Sequence, residues 1–135
     1  MLDYLINLAR EKDGYLMIRL VKGAYWDSEI NWAQADGLDG FPLYTRKNHT
    51  DISYIACAKK LLAAQDVIYP QFATHNVQTM CTIHDLGQGK QFEFHCLHGK
   101  VESLNNNIVG KENFNRQVRV YAPVGTHESL LAYLV

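Results

Sequence analysis

Apolar residues at Leu2, Leu5, Ile6 and Ala9 recur with the spacing of one helix face, and Asp13-Gly14 breaks the pattern. Tyr15 to Val21 is a short apolar run with β-branched and aromatic content, the pattern of a buried strand, ending at Lys22-Gly23. From Ala24 to Lys47 the pattern is irregular, with a short helix over Asp27–Ala35 and turn residues from Asp36 to Pro42. Thr50 or Asp51 is placed to cap a helix carrying Ile52, Ile55, Ala56, Lys59, Leu62 and Ala63. One unit then repeats. Val67–Thr74 is a strand and Asn76 caps a helix reaching about Leu86. Gln91–Leu97 is a strand followed by a weaker helix between Glu102 and Val109. Gln117–Ala122 is a strand, and Thr126 caps a helix beginning at His127 or Glu128.

Four strands alternating with helices predict βαβ crossovers and a parallel sheet. The first strand is preceded by a helix with no strand to feed it, and the last helix stops without a C-terminal signal. The expectation is a segment of a longer α/β protein. Each strand ends in polar or glycine-containing residues: Lys22-Gly23, Thr74-His75-Asn76, Leu97-His98-Gly99 and Tyr121-Ala122-Pro123. Carboxyl ends of parallel strands are where α/β folds build their sites, because loops converge there and helix N-termini offer free N–H donors. No GxGxxG occurs, and Gly87-Gln88-Gly89-Lys90 follows a helix, so it reads as a helix stop rather than a phosphate loop. These patterns favour a piece of a (βα)8 barrel ahead of a flavodoxin-like sheet.

Composition narrows the chemistry. With 13 basic and 14 acidic residues the net charge is −1, which removes the bulk electrostatic case for nucleic acid. Three separated cysteines without CxxC suit a reducing cytoplasm rather than a disulfide scaffold. No run approaches the roughly 18 apolar residues that a membrane span needs. Six histidines raise a metal reading, but His75 and His98 lack a carboxylate or thiolate companion and no HExxH is present, so no metal ligand is assigned. Arg19 lies inside an apolar strand, where a permanent charge needs a partner or a ligand. Lys22 follows near the same strand end, and the two cations favour an electron-rich or anionic ligand. Tyr25 and Trp26 offer flat rings above the strand ends, or a hydrophobic plug. Thr45-Arg46-Lys47 puts a hydroxyl and two cations before a helix, the makings of a pyrophosphate clamp or of a solvated basic turn.

The stretches Arg19-Leu20-Val21-Lys22-Gly23-Ala24-Tyr25-Trp26-Asp27, Tyr44-Thr45-Arg46-Lys47, Phe72-Ala73-Thr74-His75-Asn76, Leu97-His98-Gly99 and Tyr121 to Glu128 stand in a familiar order and spacing. From about Tyr15 to Val135 the chain resembles the C-terminal half of the proline dehydrogenase domain of the bacterial bifunctional proline utilisation proteins. The resemblance implies strands five to eight of a distorted (βα)8 barrel that holds FAD and oxidises L-proline to 1-pyrroline-5-carboxylate, with a quinone as final electron acceptor. It assigns the flavin to Arg19, Lys22, Gly23, Ala24, Trp26, Thr45, Arg46, Lys47, Thr74, His75 and Asn76. It assigns the proline pocket to Tyr25, Leu97, Tyr121 and Tyr133, with Arg19 and Tyr121 closest to the chemistry. It also allows peripheral membrane association of the parent protein. Lys100-Val101 stands where the family pattern has Met-Gly, and the arginine pair that takes the substrate carboxylate would begin beyond Val135. Half a barrel leaves two strand edges open to self-association, so the expectation is that the chain alone neither holds FAD tightly nor oxidises proline. Two other readings remain: a Schiff-base barrel enzyme using Lys22, and an inactive partial gene product.

Overall fold

The computed structural model describes residues 1–23, 25–99, 108–110, 114–126, 128 and 130. Its elements run α1 (Leu2–Glu11), β1 (Leu16–Val21), α2 (Trp26–Ala35), α3 (Lys47–Ala63), β2 (Ile68–Ala73), α4 (Val77–Leu86), β3 (Glu93–Leu97) and β4 (Val118–Tyr121). The four strands form one sheet in the order β1-β2-β3-β4, every pair parallel. The sequence-based order is thus realised for the four strands and for the helices up to α4. The expected helix over Glu102–Val109 lies outside the described residues except at its last two positions, which are helical. At the far end, Leu130 N–H donates to the Thr126 carbonyl (3.1 Å), a first helical bond after the expected cap.

Period-2 alternation divides each strand between two environments. Leu16, Ile18 and Leu20 of β1, Ile68 and Phe72 of β2, and Phe94 and Cys96 of β3 face the helices and join one core with Tyr54, Leu61, Leu62, Met80 and Ile83. Phe72 and Phe94 are fully buried, each contributing roughly 1.5–3 kcal/mol. Met17, Arg19 and Val21 alternate with the core residues of β1 and stay exposed on the opposite face. Gly87, the C-cap of α4, confirms the helix-stop reading, and a Cβ there would clash with the Phe92 ring.

One boundary differs from expectation. Helix α3 starts at Lys47, a turn before Thr50 and Asp51, and Arg46 caps it without a side-chain hydrogen bond. The extra turn carries no apolar residue, so hydrophobic periodicity could not see it. Asp51 is unavailable as a cap because it accepts from two lysines. Asn76 behaves as expected, its Oδ1 accepting from Thr79 N–H at 2.9 Å. Among the described residues, no helix is long and apolar enough to cross a membrane.

Candidate active site

Arg19 and Tyr121 sit on strands that are three places apart in the sheet. Neighbouring strands are spaced by about 4.8 Å, so a flat sheet would hold these two backbones about 14 Å apart. Yet the Arg19 guanidinium lies over the Tyr121 ring, 4.6 Å from its centroid. The sheet therefore curls, with the non-helical face concave, and the curl brings β1 to β4 at the carboxyl ends. No carboxylate pairs with Arg19 among the described residues; its charge rests on a ring face and is otherwise open.

Leu97 is level with Tyr121 in the ladder and buried. His75 follows β2, and its Nε2 accepts the Leu97 backbone N–H at 3.0 Å, which places the imidazole proton on Nδ1. Thr74 Oγ1 accepts from Asn76 N–H (3.2 Å), so the Thr74-His75-Asn76 loop is fixed by its own side chains as it enters α4. Tyr25 and Trp26 are about half exposed; Trp26 opens α2, and its indole N–H donates to the Tyr44 carbonyl (3.0 Å). That bond ties the start of α2 to the Thr45-Arg46-Lys47 turn. Ala24 and Tyr133 lie outside the described residues.

Lys22 and Lys47 meet at one carboxylate. Lys22 Nζ donates to Asp51 Oδ1, and Lys47 Nζ to Asp51 Oδ2 at 2.6 Å. Two ammonium groups on one carboxylate leave an excess positive charge beside Arg46 and the uncapped start of α3, a favourable setting for an anion. The hydrogen bonds from Lys22 and then Lys47 hold the Asp51 carboxyl below the usual carboxylate range. Committing the Lys22 amine to an ion pair is the opposite of the desolvated, uncharged lysine that Schiff-base chemistry needs, so the aldolase-like reading loses its nucleophile. Among the described residues no group of three or more His, Cys, Asp or Glu side chains comes together in a way that could hold a metal ion.

Three residues of this region stand outside the sequence-based candidates. Asp51 reads from the sequence only as a cap. Tyr54 sends its hydroxyl from α3 to the Leu20 and Ala73 carbonyls (3.1 and 3.2 Å), closing the tops of β1 and β2. Glu93 lies buried on the concave face, accepting from Gln71 Nε2 (2.7 Å), His95 Nε2 (2.8 Å) and Arg119 Nε (2.8 Å). A signal for Glu93 existed: like Arg19, it is a charge inside an apolar strand, with His95 two residues on and therefore on the same face.

Comparison with known proteins agrees with this architecture. Residues 1–135 match the family model for proline dehydrogenase. The bifunctional protein PutA of Escherichia coli is 61% identical over 141 residues, covering 99% of this chain and 11% of that protein. PutA of Rhizobium meliloti is 53% identical over 140 residues, again 99% and 11%. A solved structure of a Bradyrhizobium japonicum proline utilization A variant superposes with a TM-score of 0.86 at 53% identity, over 98% of this chain and 14% of that one. Proline utilization A of Corynebacterium freiburgense, at 20% identity and a TM-score of 0.81, shares the fold. The chain thus spans about a tenth of the length of these relatives, and its curled parallel sheet is a segment of a TIM-like barrel. On this match over its full length, the chain belongs to the proline dehydrogenase family.

Proposed function

We propose that the protein carrying this chain is a flavin-dependent proline dehydrogenase, oxidising L-proline to 1-pyrroline-5-carboxylate in proline catabolism. The observation that supports this most is the Arg19 guanidinium over the Tyr121 ring: a cation with no carboxylate partner among the described residues and an aromatic wall, brought together across a concave barrel face. The residues present fit FAD. A Cβ at Gly23 would meet no described atom within 4 Å, so packing inside the chain does not demand a glycine there, and close approach of a ligand to the backbone is a reason for one. The Lys22–Asp51–Lys47 cluster and Arg46 supply charge for a diphosphate. Gly23, Ala24, Trp26, Thr45, Thr74, His75 and Asn76 complete the cofactor set that the resemblance implies.

FAD, when bound, supplies a flavin N5 that accepts a hydride from the proline ring. The protein's part is placement and charge. Arg19 offers a fixed positive charge that favours an electron-rich reduced ring, and it cannot be lost by deprotonation. Tyr25, Leu97, Tyr121 and Tyr133 are proposed to wall the substrate, excluding water so that donor and acceptor atoms stay close. A quinone is the proposed acceptor that reoxidises the flavin. Membrane association in this scheme would be peripheral and would belong to the parent protein.

The test is Arg19→Met in the full-length protein, mixed anaerobically with L-proline while flavin absorbance is followed. Loss of a positioned cation predicts a fall in the reduction rate of about two orders of magnitude or more. An unchanged rate removes Arg19 from the mechanism, and a wild-type protein without flavin removes the reading itself.

A further inference from the structure

Asp51 stands out because its negative charge sits in the region proposed to receive a diphosphate. Plain Coulomb reasoning makes it an opponent of such a ligand. The geometry argues the other way. Lys22, at the carboxyl end of β1, and Lys47, at the first position of α3, come from elements separated by the whole α2 segment. They are joined through the two oxygens of Asp51. Lys22 is partly buried, with its Nζ 5.3 Å from the Tyr54 ring centroid, so Asp51 and Tyr54 together fix that ammonium. Lys47 is different. Its side chain is 77% exposed, and Asp51, one helical turn away, is the partner that restrains it. Lys47 and Asp51 also line a cleft of about 490 Å³ between α3 and α4, whose other wall includes Asn76 and Thr79 at the start of α4.

We propose that Asp51 is a positioning residue for FAD: it splays Lys22 and Lys47 on its two oxygens into a preset pair of ammonium donors, and its loss weakens cofactor binding although it removes a negative charge. The physical basis is entropy. A free lysine loses much of its rotamer freedom when fixed, and a carboxylate that has already restrained both side chains lowers that cost at the moment of binding. The inference rests on the proposed flavin function, and the measurement separates the two.

The experiment titrates FAD into the full-length apoprotein and reads the dissociation constant by flavin fluorescence, for the wild type, Asp51→Asn, Asp51→Glu, Lys47→Met and the Asp51→Asn/Lys47→Met double variant. The expected result is about tenfold weaker binding for Asp51→Asn, substantial recovery in Asp51→Glu, and a much smaller effect of Asp51→Asn when Lys47 is already methionine. Equal or tighter binding by Asp51→Asn overturns the proposal, because that is the sign of simple repulsion. An effect of equal size with and without Lys47 also overturns it, since Asp51 would then not act by presetting the Lys22–Lys47 pair. A wild-type apoprotein that takes up no FAD overturns the functional reading and this inference with it, a result unlike either of the others.

Discussion

Tyr54 shows how much one hydroxyl can hold. Its ring is buried in the core and its hydroxyl reaches the last carbonyls of two strands, Leu20 and Ala73. Burial pushes the phenol well above its ordinary range, against a smaller opposing pull from the Arg19 charge, so it remains a protonated donor at any working pH. Tyr54→Phe keeps the ring under Lys22 and removes only the donor. The expected outcome is a loss of about 1–2 kcal/mol in urea unfolding of the barrel that carries this segment, since two buried acceptors lose a partner at once. Asn76→Ala is expected to cost about 1 kcal/mol by the same measurement, through an unsatisfied N–H at the start of α4. Only the second of these residues was legible in the sequence. Asn before a helix has a fixed meaning, whereas a tyrosine within an apolar helix face says nothing about where its hydroxyl ends.

At the scale of the element, β3 joins the two kinds of environment. Phe94 and Cys96 enter the core while Glu93 and His95 carry the polar layer of the concave face. Burial raises the Glu93 carboxyl, but the hydrogen bonds from Arg119, His95 and Gln71 together outweigh it and hold the group at about 2, against an ordinary value of 4.5. The folded value is depressed, so the carboxylate's contribution to stability is complete above the ordinary value and drains away as pH falls through the folded one. A melting series from pH 7 downward should therefore show the barrel losing stability between about pH 4.5 and 2. Glu93→Gln should start less stable at pH 7 and lose less across that window. Two lines of equal slope would show that Glu93 does not govern the acid limb. The strands and helix faces of this sheet were readable because burial imposes periods of 2 and 3.6 on the sequence. The polar first turn of α3 and the partners of Glu93 were not, because both depend on charges supplied by other elements.

For the whole molecule, curvature decides what the parts can do. Sequence pattern placed Arg19 and Tyr121 near strand ends, and the family resemblance gave them a shared pocket. Neither could show β1 and β4 converging, since that is a property of the curl and not of either strand. The same curl leaves β1 and β4 each hydrogen-bonded on one side only among the described residues, and exposes Met17 and Val21 on the concave face at 58% and 46%. A closed barrel has no such edges. Parallel strands in the order β1 to β4 allow the β4 edge of one copy to meet the β1 edge of another, and two copies in that relation make an eight-stranded ring. We therefore expect the 135-residue chain, when produced by itself, to self-associate, and to show neither a flavin spectrum nor proline-dependent dye reduction, because a four-stranded open sheet does not enclose a ligand as a closed barrel does. Light scattering across a dilution series reads the first, and Met17→Lys supplies the control. An inward-pointing charge on that face should shift the mass toward the monomer while leaving the helix-packed core intact. A monomeric chain that reduces dye with proline would mean instead that four strands suffice for the site.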